Sequence, residues 1–495
     1  MSFSSRHSAD LNGQLTSFTD VHQQAVRIRI DRTDAGLAAV QHTAAMLVNM
    51  LSRLHGVVKG ISIDCPAQVP LCGRITPLAS RRLPLDEALA DEVREIGVVP
   101  LAEYPDLIIV NVGRQRYEGA RLNIYGEGWW GGVFTQSVPA SGESSLPFGP
   151  YVAAAIATAE VFKLCRLLPS KRVELRDAFF STWSHRAMTA PDTNGPNEIE
   201  ADLTGSLLAG VGAVGCSFLH TLWTMNLSGT LVIADNDTKG IDDSNLNRYC
   251  LFGVPSIGKQ KASEAKKQLY DATFLIQASD TSFEELYEGR PNRFELVISA
   301  VDNNDARGAI QDKYPATILS ASTSDLRAEL LCCGPPGEGA CLRCFNPPVQ
   351  KPSDDVLRAN LLKLPERIAT IADDLHISMQ EARDWVESGK CSVTGSQMLE
   401  LLQREHSEPI QFAVPFTSVM AGVLLAAEFV KMLAGFDTSF GTISNRASVQ
   451  FFNLLARERA RTFLARDPDC PKCASGVGLE VWQSRSARSP LMIRG

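Results

Sequence analysis

Gly210-Val211-Gly212-Ala213-Val214-Gly215, then Asp235, then Ser244-Asn245-Leu246-Asn247-Arg248, then Gly258-Lys259-Gln260-Lys261 is the stretch of this 495-residue chain that decides its fold. Residues 207–209 read as a short buried strand. The three glycines let the turn after it, and the helix that follows, approach a phosphate closely, with the first helical amides facing the anion. That helix is expected over about residues 213–226, where Asn226-Leu227-Ser228-Gly229 is a stop signal. Residues 230–234 read as a second buried strand, delivering Asp235 twenty residues after Gly215, the interval of a carboxylate that binds ribose hydroxyls. The pattern is the first half of a Rossmann-like α/β unit.

Glycines alone would also suit a tight strand-to-helix turn with no ligand. Residues 203–234 carry no charge apart from His220, so a membrane span competes; the paired glycines and the break at 226–229 favour strand-helix-strand. Arg248 and Lys261 by themselves would pass for surface charges. A nicotinamide dehydrogenase, however, has no use for Ser-Asn-Leu-Asn-Arg and a following lysine, whereas a triphosphate needs such cations. A further strand, residues 296–301, ends in Asp302-Asn303-Asn304-Asp305-Ala306-Arg307. A carboxylate at the carboxyl end of a parallel strand borders the ligand crevice and suits Mg²⁺. Asp302 would equally cap a helix.

These residues resemble the adenylation domain of ubiquitin-activating-type enzymes, the family that includes the ThiF and MoeB sulfur-carrier activators. The resemblance covers residues 203–344 and returns at 415–473. It implies that Gly210, Gly212, Gly215 and Asp235 hold ATP, with Asp237 and Asn303 beside them. It also implies that Asn245, Arg248 and Lys261 contact the phosphates and that Asp302 binds magnesium. Residues 239–243 make the segment after Asp237 slightly longer than the family pattern, which leaves that loop's conformation open.

The chain has 12 cysteines. Cys341-Leu342-Arg343-Cys344 and Cys470-Pro471-Lys472-Cys473 are two knuckles of the kind that close a tetrahedral zinc site of four cysteines, structural because no ligand position stays open. One zinc would tie the end of the adenylation core to the C-terminal region; a redox role for either pair is the alternative. A polar start, Met1-Ser2-Phe3-Ser4-Ser5-Arg6, without an apolar signal segment points to a reducing cytoplasm. A net charge of −8 with no basic run argues against nucleic acid as a partner. The uncharged stretch 412–427 is too short to span a bilayer before Glu428 and Lys431 interrupt it.

The chain also echoes itself. PFGPYVAAAIATAEVFK (147–163) aligns without a gap on PFTSVMAGVLLAAEFVK (415–431), and residues 107–113 echo the strand leading to Asp302, with Gly113 where Asp302 would stand. Two Ala-rich helices can agree by composition, but paired adenylation folds, one active and one inactive, occur in the resembling family. The expected architecture is therefore a degenerate adenylation-like domain at 1–190, packed as a pseudo-dimer on an active domain at 197–345 and 410–475. An inserted segment at 346–409 and a tail at 476–495 complete it. The polar stretch 189–196 is the linker.

The insertion shows helical patterning over 354–362, 368–375 and 379–387, then reaches Ser388-Gly389-Lys390-Cys391-Ser392. In the resembling family the segment after the first knuckle carries the cysteine that attacks the adenylate. Cys391 lies beside Lys390, whose charge favours the thiolate; Cys332 and Cys333 are the runners-up. The resemblance implies activation of the C-terminal glycine of a ubiquitin-like protein by MgATP, thioester formation on Cys391 and transfer to a conjugating enzyme. It suggests a compact bacterial conjugation operon, antiphage defence included, and leaves a homodimer open. The alternatives are a sulfur-carrier adenylyltransferase and, further off, a dehydrogenase or nucleotide-binding scaffold.

Overall fold

The computed structural model describes residues 23–138, 144–166, 176–287, 294–324, 326–334, 337–347, 354–363, 365–388, 397–398, 413–436, 440–454, 460–474 and 476–488. The chain divides into two compact units, Met1–Pro347 with Phe412–Gly495, and Pro348–Gln411.

The larger unit opens with β1 (Gln24–Ile30), α1 (Ala38–Leu51), β2 (Val58–Asp64), α2 (Leu85–Ile96), β3 (Leu107–Val112), β4 (Leu122–Glu127), β5 (Trp130–Val133), α3 (Phe148–Cys165), β6 (Ala178–Ser181) and β7 (Arg186–Met188). Residues 189–196 then lead on, held by Trp129 Nε1, which donates to the Pro196 carbonyl at 2.8 Å. Next come β8 (Ser206–Ala209), α4 (Ala213–Trp223), β9 (Thr230–Ala234), α5 (Lys261–Gln268), β10 (Leu275–Ser279), α6 (Phe283–Tyr287), β11 (Leu296–Ser299), α7 (Asn304–Asp312), β12 (Thr317–Ser324), β13 (Arg327–Cys333) and α8 (Leu342–Phe345). Helix α4 stops three residues before the sequence pattern suggests. The guanidinium of Arg74 takes the carbonyls of Trp223 at 2.5 Å and Met225 at 2.6 Å, doing from outside what another helical turn would do.

The smaller unit is helical: α9 (Asp354–Leu362), α10 (Pro365–Asp374) and α11 (Met379–Ser388). Its own core gathers Leu357, Leu361, Ile371, Ala382, Trp385 and Val386. Helix α11 starts with a capping box, Glu381 N donating to Ser378 Oγ at 3.2 Å and Ser378 N to Glu381 Oε2 at 3.0 Å. Cys391 and Lys390 lie outside the described residues.

The chain returns to the larger unit with α12 (Pro415–Leu433), β14 (Arg446–Gln450), β15 (Arg461–Thr462) and α13 (Val477–Arg488). Two sheets result. The first has the order β2-β1-β3-β4-β5-β6-β7 and the second β10-β9-β8-β11-β12-β13-β14-β15. In each the early strands pair in parallel and the last three join antiparallel. Without β10, the second order repeats the first strand for strand, with α3 and α12 in matching places before β6 and β14. The fully buried runs of β8 and β11 suit parallel strands covered on both faces, while the alternating burial of β14 suits an antiparallel strand with one open face.

Helices α3 and α12 join the halves. By length and composition both could cross a bilayer, a length the uncharged stretch 412–427 understates, but α3 is 94% and α12 89% buried inside the protein. Each carries one buried ion pair: Lys163 with Glu160 at 2.5 Å and Lys431 with Glu428 at 2.6 Å. Such pairs add little net stability, because desolvation offsets the attraction. What they do is geometric. Lys163 donates to the carbonyl of Phe451, just past β14, at 2.9 Å, and Lys431 donates to that of Thr182, just past β6, at 3.1 Å. Each half thus satisfies its lysine on the equivalent strand end of the other, which explains the shared Ala-Glu…Lys ending of the two helices. One hydrophobic core, including Ile124 and Val152 from the first half and Leu208 and Leu425 from the second, runs through both.

Candidate functional site

In the second sheet β8 lies between β9 and β11, so successive crossovers leave in opposite directions and open a crevice at the carboxyl ends of these strands. Gly210 turns out of β8 with φ +95°, and a Cβ there would meet the Ala300 carbonyl at 2.8 Å. Gly215 sits against the Gly210 carbonyl, where a Cβ would come within 2.1 Å, so the first turn of α4 folds back tightly on the loop. Gly212 is the N-cap position of α4 and has no side-chain cap, which leaves the helix's leading amides facing the crevice. Asp235 closes the turn by accepting from Val211 N at 2.7 Å.

The cationic groups arrive from the next loop. Gly240, at φ +70°, turns residues 237–240 back, and buried Ile241 bonds to the backbone around Lys259, donating to its carbonyl at 2.9 Å and accepting from Gly258 N at 2.7 Å. This settles the conformation of the long 239–243 segment. Asp242 accepts from Asn245 N at 3.0 Å, and the Asn245 carbonyl accepts from the amides of Arg248 and Tyr249. Lys261, at the start of α5, pairs with Asp237 at 2.5 Å. Its ammonium and the Arg248 guanidinium lie 5.6 and 5.5 Å from the Tyr249 ring centre. Burial works against the Lys261 charge, but the Tyr249 oxygen and the Asp237 and Asp235 carboxylates outweigh it and hold its pKa above the ordinary lysine value. A Cβ on Gly212 would stand 3.8 Å from the Tyr249 hydroxyl, so this cationic cluster and the glycine turn face one space.

Asp302 follows β11 and is exposed at the crevice. The α7 cap is Asn303, whose side chain accepts from Ala306 N at 2.8 Å; Asp302 is left free of that duty. Arg307 fixes the loop from behind, donating to the Val301 carbonyl at 3.0 Å, to Asn304 Oδ1 at 3.0 Å and to Asn346 Oδ1 at 3.2 Å. The crevice therefore brings together Gly210, Gly212, Gly215, Asp235, Asp237, Arg248, Lys261 and Asp302, with Asn245 and Asn303 building the loops. Tyr249 and Arg307 are additions: Tyr249 follows the Ser-Asn-Leu-Asn-Arg motif and Arg307 ends the run that begins at Asp302, but only the fold shows what each touches.

A ThiF family model matches residues 201–472, more than half of the chain and all of this crevice. The chain belongs to the ThiF family of adenylating enzymes. A model of the BilD N-terminal domain matches residues 25–172. Among relatives, the uncharacterized protein y4jF of Sinorhizobium fredii is 26% identical over 87% of this chain and 85% of its own length. The adenylyltransferase and sulfurtransferase UBA4 of Vanderwaltozyma polyspora is 25% identical over 40% of this chain, which spans about half (49%) of that protein. SUMO-activating enzyme subunit 2 of Dictyostelium discoideum is 37% identical over 20% of this chain and 15% of its own length.

In the first half of this ThiF-family chain, the turns after β1 and β3 are built differently. After β1 stands Asp31, where β8 is followed by Gly210. Buried Asp34 accepts from Arg114 Nη2 at 2.6 Å and from Arg114 N at 2.8 Å. Gly113 has φ +150°, and a Cβ there would meet Asp31 at 2.6 Å. Asp31 and the Asp34–Arg114 pair thus pack against the turn at Gly113.

Cys341, Cys344, Cys470 and Cys473 converge although 129 residues separate the knuckles. Their sulfurs all lie within 4.8 Å of one another, with Cys341 3.7 Å from both Cys344 and Cys470, and Cys344 3.4 Å from Cys473. A tetrahedral zinc with sulfur ligands at about 2.3 Å requires separations of about 3.8 Å. The four thiols fit such an ion. Trp482 of α13 packs into the same cluster, so the second knuckle and its helix cover β12 near Ala316.

Proposed function

We propose that the chain activates the C-terminal glycine of a ubiquitin-like protein with ATP and then carries the acyl group on Cys391 for delivery to a conjugating enzyme. The observation that supports this reading is that the glycine turn opening α4, the Lys261 and Arg248 cations beside Tyr249 and the exposed Asp302 all lie on segments that follow the adjacent parallel strands β8, β9 and β11. The glycine carboxylate attacks the α-phosphorus, the bond to the β-phosphate oxygen breaks, and pyrophosphate leaves an acyl-adenylate. Lys261 and Arg248 offset the charge growing on the phosphates, an effect strong in a partly dehydrated site. Magnesium held by Asp302 would neutralise phosphate charge and orient the leaving group. The Cys391 thiolate then attacks the acyl carbon, expelling AMP and forming a thioester. ATP–pyrophosphate exchange that depends on a glycine-ended protein tests the first step. The matches to proteins named adenylyltransferase and sulfurtransferase favour a second reading, a sulfur-carrier activator, in which exchange occurs and no thioester forms. The neighbouring genes would name the modifier and say whether the setting is an antiphage conjugation operon.

The zinc reading rests on the sulfur separations and belongs to the same proposal. Metal analysis is expected to find about one zinc per chain, and Cys341→Ser to lower the melting temperature before it changes exchange. Metal-free protein with unchanged melting would refute it.

We further read residues 1–190 as a degenerate copy of the active domain at 197–345 and 410–475, paired with it as a pseudo-dimer. The insertion is then 346–409 and the tail 476–495. The matching strand orders and the reciprocal lysine bonds support this reading. Asp31, Asp34 and Gly113 leave the first half neither phosphate-binding amides nor a metal carboxylate at the matching positions. Calorimetry should therefore give about one ATP per chain; a stoichiometry near two would overturn the reading.

A further inference from the structure

We infer that Arg53, in the half read as nucleotide-free, is a positioning residue of the ATP site, acting through the backbone of the loop that carries Asn247, Arg248 and Tyr249. The inference rests on the ATP-site reading above. Arg53 follows α1 and is 0% exposed. Its Nη1 donates to the carbonyls of Leu246 at 2.8 Å and Phe252 at 3.0 Å, and its Nε to Asn49 Oδ1 at 2.8 Å. Asn49 in turn donates to the Cys250 carbonyl at 2.9 Å and to Glu92 Oε1 at 2.7 Å. Three carbonyls of one seven-residue segment, at Leu246, Cys250 and Phe252, are thus taken by side chains of the other half.

Among the described residues no strand pairs with that segment. Residues 246–252 form turns whose backbone bonds include those of Arg248 and Tyr249 to Asn245 and of Phe252 to Tyr249. Between the clamped carbonyls of Leu246 and Phe252 stand Arg248 and Tyr249, and the Tyr249 side chain meets the Arg248 guanidinium, the Lys261 ammonium and the turn at Gly212. An apolar side chain would fill the space of Arg53 without the desolvation cost of a buried charge. What only a guanidinium supplies is a planar fork that reaches both ends of the loop and Asn49 together. Without it, buried carbonyls lose their partners and the loop must open toward water to recover them. The clamp would set the Arg248 and Tyr249 positions before nucleotide arrives.

The test uses the full chain with Arg53→Met and Arg53→Lys, read by hydrogen exchange of residues 246–252 without nucleotide, by ATP affinity in calorimetry and by melting. Arg53→Met is expected to speed exchange selectively in that loop and to weaken ATP binding roughly tenfold or more, with Arg53→Lys recovering part of both. Should the methionine variant not fold, Asn49→Leu and Arg53→Lys, each removing part of the clamp, are expected to show the same two changes at smaller size. Unchanged loop exchange would overturn the clamp whatever the affinity. So would lower melting with exchange raised throughout and ATP affinity intact, the result of a merely structural role. Wild-type protein that binds no ATP would overturn the ATP-site reading and, with it, the positioning role, even if Arg53 holds the loop.

Discussion

Asp302→Ala and Lys261→Ala are each expected to lower ATP–pyrophosphate exchange by about 10²–10³-fold, the loss typical of removing one preorganised group that meets transition-state charge. Neither should cost the fold much. Asp302 is exposed and leaves the capping of α7 to Asn303. Removing Lys261 unpairs Asp237, but that carboxylate is 39% exposed and water can take over its solvation. The two variants should nevertheless differ. Loss of Asp302 should raise the magnesium concentration needed for half-maximal exchange, whereas loss of Lys261 should depress the rate at saturating magnesium. Near-normal exchange in either variant, with melting unchanged, would mean the triphosphate does not lie in this crevice.

The parts of the site that were legible in the sequence are those whose partners lie within a few residues or one crossover. Strand β9 could be bounded at Thr230 and Ala234 because Gly229 and Asp235 flank the uncharged run Thr-Leu-Val-Ile-Ala. The glycine turn and Asp235 were legible for the same reason, since one strand-helix-strand unit brings them together. Helix α4 was overestimated because its terminal carbonyls are satisfied by Arg74, about 150 residues earlier, and no local signal announces that. Asp302 and Asn303 compete for one cap, and adjacent capping residues cannot be ranked from composition. The Ala-Glu…Lys echo was visible, but its reason was not: the carbonyls of Phe451 and Thr182 become partners only when the halves meet. Arg53 is the extreme case, because a lone arginine after an apolar helix reads as a solvated helix end until the other half closes over it.

Cys391→Ala is expected to keep pyrophosphate exchange and to abolish the reductant-sensitive adduct between this chain and its ubiquitin-like partner. A thioester needs a thiolate, and the cysteines the structure describes outside the knuckles are poorly suited to supply one. Burial pushes the thiol of Cys332 up to about 12, that of Cys65 to about 12, and those of Cys165 and Cys250 to about 11. Cys72, Cys216 and Cys333 are raised for the same reason. Cys332 and Cys333, the runners-up, lie on β13 and are almost fully enclosed, with no approach for an acyl-adenylate. Cys341, Cys344, Cys470 and Cys473 are committed to one cluster. Cys391, beside Lys390 and following the first knuckle, is the remaining cysteine of the twelve. Because adenylation precedes thiol attack, a variant without the nucleophile should still exchange pyrophosphate at close to the wild-type rate, which separates the two steps in one protein. An adduct that persists in Cys391→Ala would move the nucleophile elsewhere. Wild-type protein that exchanges pyrophosphate and never forms the adduct would make the sulfur-carrier reading the better one, with the acyl-adenylate handed directly to a sulfur donor.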